Sequence, residues 1–398
     1  MTTPPRPVLR LKPKVRPQAI RHGFPWVYDN ELVTDRRTKA LAPGSIAVLE
    51  DAARDPLALV AVNPASRIMA RVLDRDPAAK IDQAWFEARI ARALALRQKL
   101  FDNPFYRLVH AEADGLPGVI IDRFGDTVVI QPNAAWAERH LTELTAALIG
   151  VTGVAHVLKN ASGRARGLEG LDEGRALLHG HAPDGPLQVP MNGAIYLADL
   201  LEGQKTGLFF DQRPNHAMAA SVARGARVLD VFSHVGGFAL AALASGAESA
   251  LAVDGSEPAL TLATQGAFEM GQASRFTTRR GDAFATLEAL ASEDAQFDLV
   301  VCDPPAFAPS RKALESGLRA YEKIARLAAP LVAPDGVLVL CSCSHAASLE
   351  TFRKASLRGI GRAGREGTLF HTSGAGPDHP LHPHLAESGY LKALFFRL

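Results

Sequence analysis

The sequence predicts an α/β protein organised around one nucleotide-binding βαβ unit, with a small β-barrel and a second α/β segment ahead of it. Three observations carry this reading. Residues 227–254 run strand, glycine turn, helix, strand, acid. Two later apolar strands close on Asp303-Pro304-Pro305 and on Cys341-Ser342-Cys343, as strands of an open sheet do at its ligand edge. The first 75 residues instead break into short β-rich runs punctuated by Pro43-Gly44 and Asn63-Pro64.

A chain of 398 residues exceeds one ordinary domain, so two or three are expected. With 47% hydrophobic and 22% charged residues it reads as a soluble globular protein. No uncharged apolar run is long enough for a bilayer, so no membrane partner is expected. The N-terminus is rich in Pro and Arg and lacks the apolar stretch of a secretory signal. Cys302, Cys341 and Cys343 fit a reducing cytoplasm, and Cys341-x-Cys343 is not a zinc spacing, so no metal is expected. The net charge of +2 hides an asymmetry: residues 6–39 hold nine Lys or Arg against three Asp or Glu. A basic leading segment suits an anionic partner such as RNA; a solvated charged face is the plainer explanation. A homodimer is a candidate assembly.

In chain order, residues 6–11, 45–50, 57–62 and 68–73 read as barrel strands. Residues 82–100 carry apolar positions at helical spacing with arginines between them. Strands flank the Asp114-Gly115 and Pro117-Gly118 turns, another strand covers 127–131, a helix 136–149, and further strands 154–158 and 187–189. Residues 76–190 thus form a central α/β domain. Residues 199–213 crowd polar groups around Gly207, Phe209 and Phe210, a mixture suited to a ligand loop. Later strands cover 297–302 and 337–341, and the Gly-, Arg- and Ser-rich stretch 359–376 reads as a mobile loop.

The chemistry gathers at strand ends. Gly236-Gly237 lets a ligand approach the backbone at a helix N-terminus, and Asp254 can accept two ribose hydroxyls. The GxGxxG fingerprint is absent. The turn Asp230-x-Phe232-x-x-x-Gly236-Gly237 resembles instead the S-adenosylmethionine site of Rossmann-like methyltransferases; a purely structural βα turn is the alternative. Asp282, in Arg280-Gly281-Asp282, is expected at the adenine edge. Asp303-Pro304-Pro305 is a stiff turn of the kind that positions a base beside a reactive methyl group, and DPP turns of this kind resemble motif IV of nucleic-acid methyltransferases. A pyrimidine C5 is too weak a nucleophile to take a methyl group unaided, and thiolate addition at C6 activates it. Cys343 lies past its strand end between serines and is the better nucleophile candidate. Cys341 extends the apolar strand and Cys302 interrupts another, so both are expected in the core, the commoner fate of cysteine.

Across the chain, RHGFPWVY, EADGLPGVIIDRFGD, LLEGQKTGLFFDQR, VLDVFSHVGGF, DPPAF, CSCSH, Asp378-His379-Pro380 and Tyr390-Leu391-Lys392 together resemble the bacterial 23S ribosomal RNA cytosine-C5 methyltransferase family that carries an N-terminal PUA domain. The resemblance implies an α/β chain with a PUA-like RNA-binding barrel at 1–75, a central α/β domain at 76–190 and a Rossmann-like, seven-stranded methyltransferase domain at 191–398. It implies S-adenosylmethionine as donor, held by Phe210, Gln212, Asp230, Phe232, Gly236, Gly237, Asp254, Asp282, Asp303 and Pro304. It makes Cys343 and Asp303 the catalytic pair and 23S ribosomal RNA the partner. The chain departs from the family after Asp211-Gln212-Arg213, where Pro-Asn-His replaces Asn-Arg, at His234, where an aromatic is usual, and in LAESGYLK near the end. The alternatives are a ribosomal RNA guanine-nitrogen methyltransferase, which has no use for Cys343, and a catalytically silent RNA-binding protein, against which the intact Gly236-Gly237, Asp254 and Asp303 argue.

Overall fold

The structure, a computed structural model, describes residues 6–203 and 207–398, without the side chains of Arg164 and Ala165. Residues 1–5 of the expected barrel and residues 204–206 of the expected ligand loop lie outside the described residues. The chain forms two compact units: one runs to Ala182 and takes in Pro380–Leu385, and the other holds Pro183–His379 and Ala386–Leu398.

In the first unit, strands Val8–Arg10, Ser45–Glu50, Pro56–Val62, Ala70–Asp74 and Trp26–Val27 lie side by side in that order. Alternating inward residues, among them Leu9, Leu49, Val60 and Met69, fill their core. A second five-stranded sheet runs Gly174–His179, His156–Ala161, Thr127–Pro132, Val119–Phe124, Phe105–His110. Helix Gln83–Leu100 starts where the Asp82 carboxylate accepts the Trp85 N–H, and it packs Phe86 and Ile90 into the same core as Val128 and Trp136. The single helix expected over 136–149 is two, Ala135–Arg139 and Leu141–Thr152, because His140 leaves helical geometry at φ −105°, ψ 22°. Arg71 joins the two sheets through Glu112 at 2.9 Å and Glu169 at 3.0 Å, and the Asn63 amide also donates to Glu169. Each of these carboxylates is buried or half-buried and paired, so the two sheets are parts of one folded body.

In the second unit, a hairpin of Leu187–Met191 and Ala194–Ala198 precedes a seven-stranded sheet. Its strands are β1 (Arg227–Val231), β2 (Ser249–Asp254), β3 (Phe276–Arg280), β4 (Phe297–Cys302), β5 (Val332–Ser342), β6 (Thr368–Ser373) and β7 (Lys392–Arg397). The spatial order is β3-β2-β1-β4-β5-β7-β6, parallel from β3 to β5, with β7 antiparallel to both neighbours. A helix over Arg213–Ser221 precedes β1, and the helices after it are α1 (Gly237–Ala244), α2 (Glu257–Glu269), α3 (Ala283–Ser292), α4 (Leu314–Ala328) and α5 (Leu349–Arg362). Central strands are covered on both faces and read as unbroken apolar runs such as Leu299-Val300-Val301-Cys302, all buried. Helix α1 is apolar all round and buries every side chain from Phe238 to Leu243. Chain order reverses between β1 and β4, which places a ligand crevice beyond their carboxyl ends.

The expected loop over 359–376 is corrected. Its first residues finish α5, and Thr368–Ser373 is the edge strand β6. Its side chains alternate between exposed and half-buried, so an edge strand carries too little apolar signal to stand out from a loop. Among the described residues no helix is long and apolar enough to cross a membrane.

Candidate active site

The crevice begins at β1. Asp230 is fully buried, and its Oδ2 accepts the N–H groups of Phe238 (3.2 Å) and Ala239 (3.0 Å), so a carboxylate caps the first turn of α1. The connecting turn is forced into left-handed geometry at Phe232 (φ 63°) and His234 (φ 49°) as well as at Gly236 (φ 79°). Left-handed backbone at two residues with side chains costs energy and collects at functional turns. Gly237 is required for another reason: a Cβ there would stand 2.6 Å from His216 Nε2. Burial, with Arg213 adding to it, pulls the His216 pKa down to about 3, so that ring packs as a neutral group.

Asp254 ends β2. Its Oδ2 accepts the His234 N–H at 2.9 Å and its Oδ1 the Ser256 N–H at 2.8 Å. Each oxygen retains a lone pair for a further donor. Asp282, beyond β3, is exposed and its Oδ1 accepts the Ala285 N–H at 2.9 Å as the cap of α3. Among the described residues Asp282 does not contact the β1 turn, while Asp230 and Asp254 both do: Asp230 accepts the Phe238 and Ala239 N–H groups just after Gly236-Gly237, and Asp254 accepts the His234 N–H just before them.

Among the described residues, Asp230 Oδ1 and Ser233 Oγ at this turn are buried and find no hydrogen-bond partner. A buried unpaired oxygen costs about 1–3 kcal/mol, and burial lifts the Asp230 carboxyl to about 7. A ligand bringing an ammonium group and hydroxyls supplies what these atoms lack, which is the chemistry of an S-adenosylmethionine amino-acid moiety and ribose.

The next edge of the crevice is built by β4 and β5. The Asp303 N–H donates to the Val231 carbonyl at 3.1 Å, tying the Asp-Pro-Pro turn to the end of β1. Cys343 Sγ lies 3.9 Å from the Pro304 carbonyl oxygen, so the structure brings Asp303, Pro304 and Cys343 together. Cys343 is half-buried, whereas Cys302 and Cys341 are buried and burial drives both thiols to high pKa. The Gln212 side chain accepts from the Asn215 amide at 2.5 Å. Phe210, buried, opens the short turn that holds Gln212.

Sequence reasoning missed the residues that hold these groups. Ser342 Oγ donates to Tyr321 Oη at 2.9 Å, Tyr321 Oη lies 2.8 Å from Ser344 Oγ, and Ser344 Oγ accepts the Ala308 N–H at 2.9 Å. The serines flanking Cys343 thus tie its turn both to α4 and to the loop after Pro305. Tyr390 Oη donates to Asp211 Oδ2 at 2.5 Å, and the Gly376 N–H donates to the Asp211 carbonyl at 2.9 Å. Asp378 and His379 pair nearby in the core at 3.0 Å. The terminal motifs were visible in the sequence, but only the fold shows them bracing the Phe210–Gln212 turn.

A parallel sheet extended by an antiparallel β7, with an acid-capped glycine turn at its switch point, defines a class I S-adenosylmethionine-dependent methyltransferase, and S-adenosylmethionine is its methyl donor. Residues 168–397 match the S-adenosylmethionine-dependent methyltransferase family, and residues 9–75 match the PUA-like domain. The chain belongs to that methyltransferase family, in the company of the ribosomal RNA large subunit methyltransferases. It is 34% identical to the ribosomal RNA large subunit methyltransferase of Deinococcus radiodurans, over 100% of both chains. It is 33% identical to ribosomal RNA large subunit methyltransferase I of Cronobacter sakazakii, over 95% of this chain and 96% of that one. In fold it is similar to a crystallised S-adenosylmethionine-dependent methyltransferase from Streptococcus mutans, with a TM-score of 0.82 and 18% identity over 98% of this chain and 100% of the other.

Proposed function

We propose that this protein forms 5-methylcytosine in 23S ribosomal RNA, in the cytoplasm, through a covalent bond between Cys343 and C6 of the target base. The observation that carries the reading is the half-exposed Cys343 thiol against the Pro304 carbonyl, at the carboxyl edge of the sheet, while the other two cysteines are buried. The donor's place is the β1 turn: Asp254 accepts the ribose hydroxyls, Gly236 and Gly237 give backbone access, Asp230 and Ser233 face the amino-acid moiety, and Asp282 meets the adenine edge. Phe210, Gln212, Phe232 and Pro304 wall the crevice. When bound, S-adenosylmethionine supplies the electrophilic methyl group that C5 takes.

Cys343 Sγ adds to C6 as a thiolate, and the ring's electrons shift toward C5 and N3. Asp303, as the carboxylic acid, donates its proton to N3 as the charge develops there, and takes it back when the S–C6 bond breaks. Once C5 carries the methyl group, a base removes the C5 proton, the double bond re-forms and the S–C6 bond breaks, returning the thiolate.

The named relatives and the PUA-like match support ribosomal RNA as substrate, with residues 1–75 as the RNA-binding barrel; the boundary expected at 190 moves to Pro183, because strand Leu187–Met191 pairs with Ala194–Ala198 in the second unit. A cleft of about 990 Å³ in the first unit is lined by Arg75, Arg89 and Arg92 together with Asp74, Glu112 and Asp114, and its exposed Arg75 and Arg92 offer contacts for phosphates.

The test is Cys343→Ala with RNA carrying 5-fluorocytosine at the target. The variant should bind S-adenosylmethionine and transfer no methyl group, and the unaltered protein should be trapped as a covalent complex mapped to Cys343, because fluorine cannot leave C5 as a proton. Near-normal turnover in Cys343→Ala, or an adduct on Cys341, overturns the assignment. Activity without any adduct indicates guanine-nitrogen transfer.

A further inference from the structure

Lys392 opens β7 directly opposite Ser342, in the register pair that ends β5. Its side chain is buried at 7% exposure, yet it forms no ion pair with a carboxylate among the described residues. Its Nζ instead donates to the carbonyl oxygens of Ser344 (2.6 Å) and Ala347 (2.7 Å), both in the turn that carries Cys343. Two of its three N–H groups are thereby used. A buried ammonium held by neutral carbonyls alone is a costly arrangement, and a nearby negative charge would offset that cost.

We propose that Lys392 is a positioning residue for Cys343: its ammonium clamps the turn after β5 and supplies the positive charge that holds the cysteine as a thiolate. This rests on the reading of Cys343 as nucleophile. Among the described residues, the titratable and charged groups at this edge are Asp303 after β4, Tyr321 on α4, the exposed His345 on the same turn and Lys392 on β7. Neither Asp303 nor Tyr321 can supply positive charge, so among the described residues Lys392 is the buried group of the right sign. Burial lowers the Lys392 pKa to about 8, and its electrostatic coupling to Cys343 acts in the opposite direction, as it must for a cation beside a developing thiolate. The same coupling makes the thiol more acidic.

The test is the pH profile of Cys343 alkylation by iodoacetamide in the full chain, without donor or RNA, with the modified residue assigned by fragment mass spectrometry. The unaltered protein should show a midpoint about one pH unit or more below the ~8.5 of a free cysteine. Lys392→Gln keeps donors to the carbonyls but removes the charge, and should raise the midpoint by about one unit or more, which from a midpoint of about 7.5 cuts reactivity at pH 7 about eightfold. Lys392→Arg keeps the charge and should retain the low midpoint. An ordinary midpoint in the unaltered protein, or an unchanged one in Lys392→Gln, overturns the proposal. Should Lys392→Gln fail to fold, the unaltered protein and Lys392→Arg decide it: low midpoints in both support the role, and an ordinary midpoint in either refutes it. Because alkylation needs neither substrate, this result is separate from that of Cys343→Ala in methyl transfer. A low midpoint with full Cys343→Ala turnover would keep the electrostatic role and remove the nucleophile.

Discussion

Tyr321 Oη and Ser344 Oγ share a buried hydrogen bond of 2.8 Å that ties α4 to the turn carrying Cys343. The same phenolic oxygen accepts from Ser342, and the same serine oxygen accepts the Ala308 N–H, so one tyrosine braces both the cysteine turn and the loop after Pro305. Tyr321→Phe leaves both serine hydroxyls short of a partner in the core. It should destabilise the protein by about 1–3 kcal/mol in urea melts. Methyl transfer should fall at least tenfold while S-adenosylmethionine affinity, read by calorimetry, stays within about twofold. Equal losses of both would mean that Tyr321 supports the whole sheet edge rather than the cysteine turn.

Asp230 makes stability depend on pH in an unusual direction. Burial raises its folded pKa to about 7 from the ordinary 3.8. Between those values the folded state holds a proton that the unfolded state releases. Its contribution is therefore fully present below about pH 4 and is lost as pH rises through about 7. Asp230→Asn removes the titration while keeping an oxygen for the Phe238 and Ala239 N–H groups. From pH 5 to pH 8 the variant should gain stability relative to the unaltered protein, by as much as about 3 kcal/mol. A difference between the two that stays flat with pH would place the Asp230 carboxyl near its ordinary range.

Asp254 serves the turn and the donor with the same two oxygens. The His234 and Ser256 N–H groups each occupy one lone pair, which leaves the outer lone pairs for ribose hydroxyls. Asp254→Ala should weaken S-adenosylmethionine binding by about 1–3 kcal/mol. Affinity equal to that of the unaltered protein would remove Asp254 from the donor site.

Much of this was legible because β1, β2, β4 and β5 are central strands, and strands buried on both faces leave unbroken apolar runs that end sharply at functional residues. Asp230, Asp254, Asp303 and Cys343 could be placed at one sheet edge on that basis alone. Edge strand β6 was read as a loop because its alternating exposure dilutes the apolar signal. The bracing residues were invisible for a different reason. Tyr321 lies 21 residues before Ser342 and Lys392 lies 48 after Ser344, and periodicity carries no information about pairs that meet only through sheet order. The glycine pair was read as one ligand feature, yet Gly236 answers to left-handed backbone and Gly237 to the closeness of His216.

Removing residues 1–75 is a poor test of RNA binding in this protein. Arg71 pairs with half-buried Glu112 and buried Glu169, which lie in turns beside the central sheet, so the truncation would leave both carboxylates without their partner and destabilise what remains of the first unit. Arg75 and Arg92 offer a cleaner experiment. Both are exposed, both line the cleft of the first unit, and among the described residues neither forms an ion pair. Arg89 beside them is engaged with Asp74 at 2.7 Å and would cost stability if replaced. Replacing Arg75 and Arg92 together with Ala should leave thermal stability and S-adenosylmethionine affinity unchanged and weaken RNA binding roughly equally across sequences. If each contacts one phosphate, the slope of log K against log salt should become shallower by about 1.4 to 1.8, between the values for single-stranded and duplex contacts. An unchanged slope across a salt series would show that RNA does not run through this cleft.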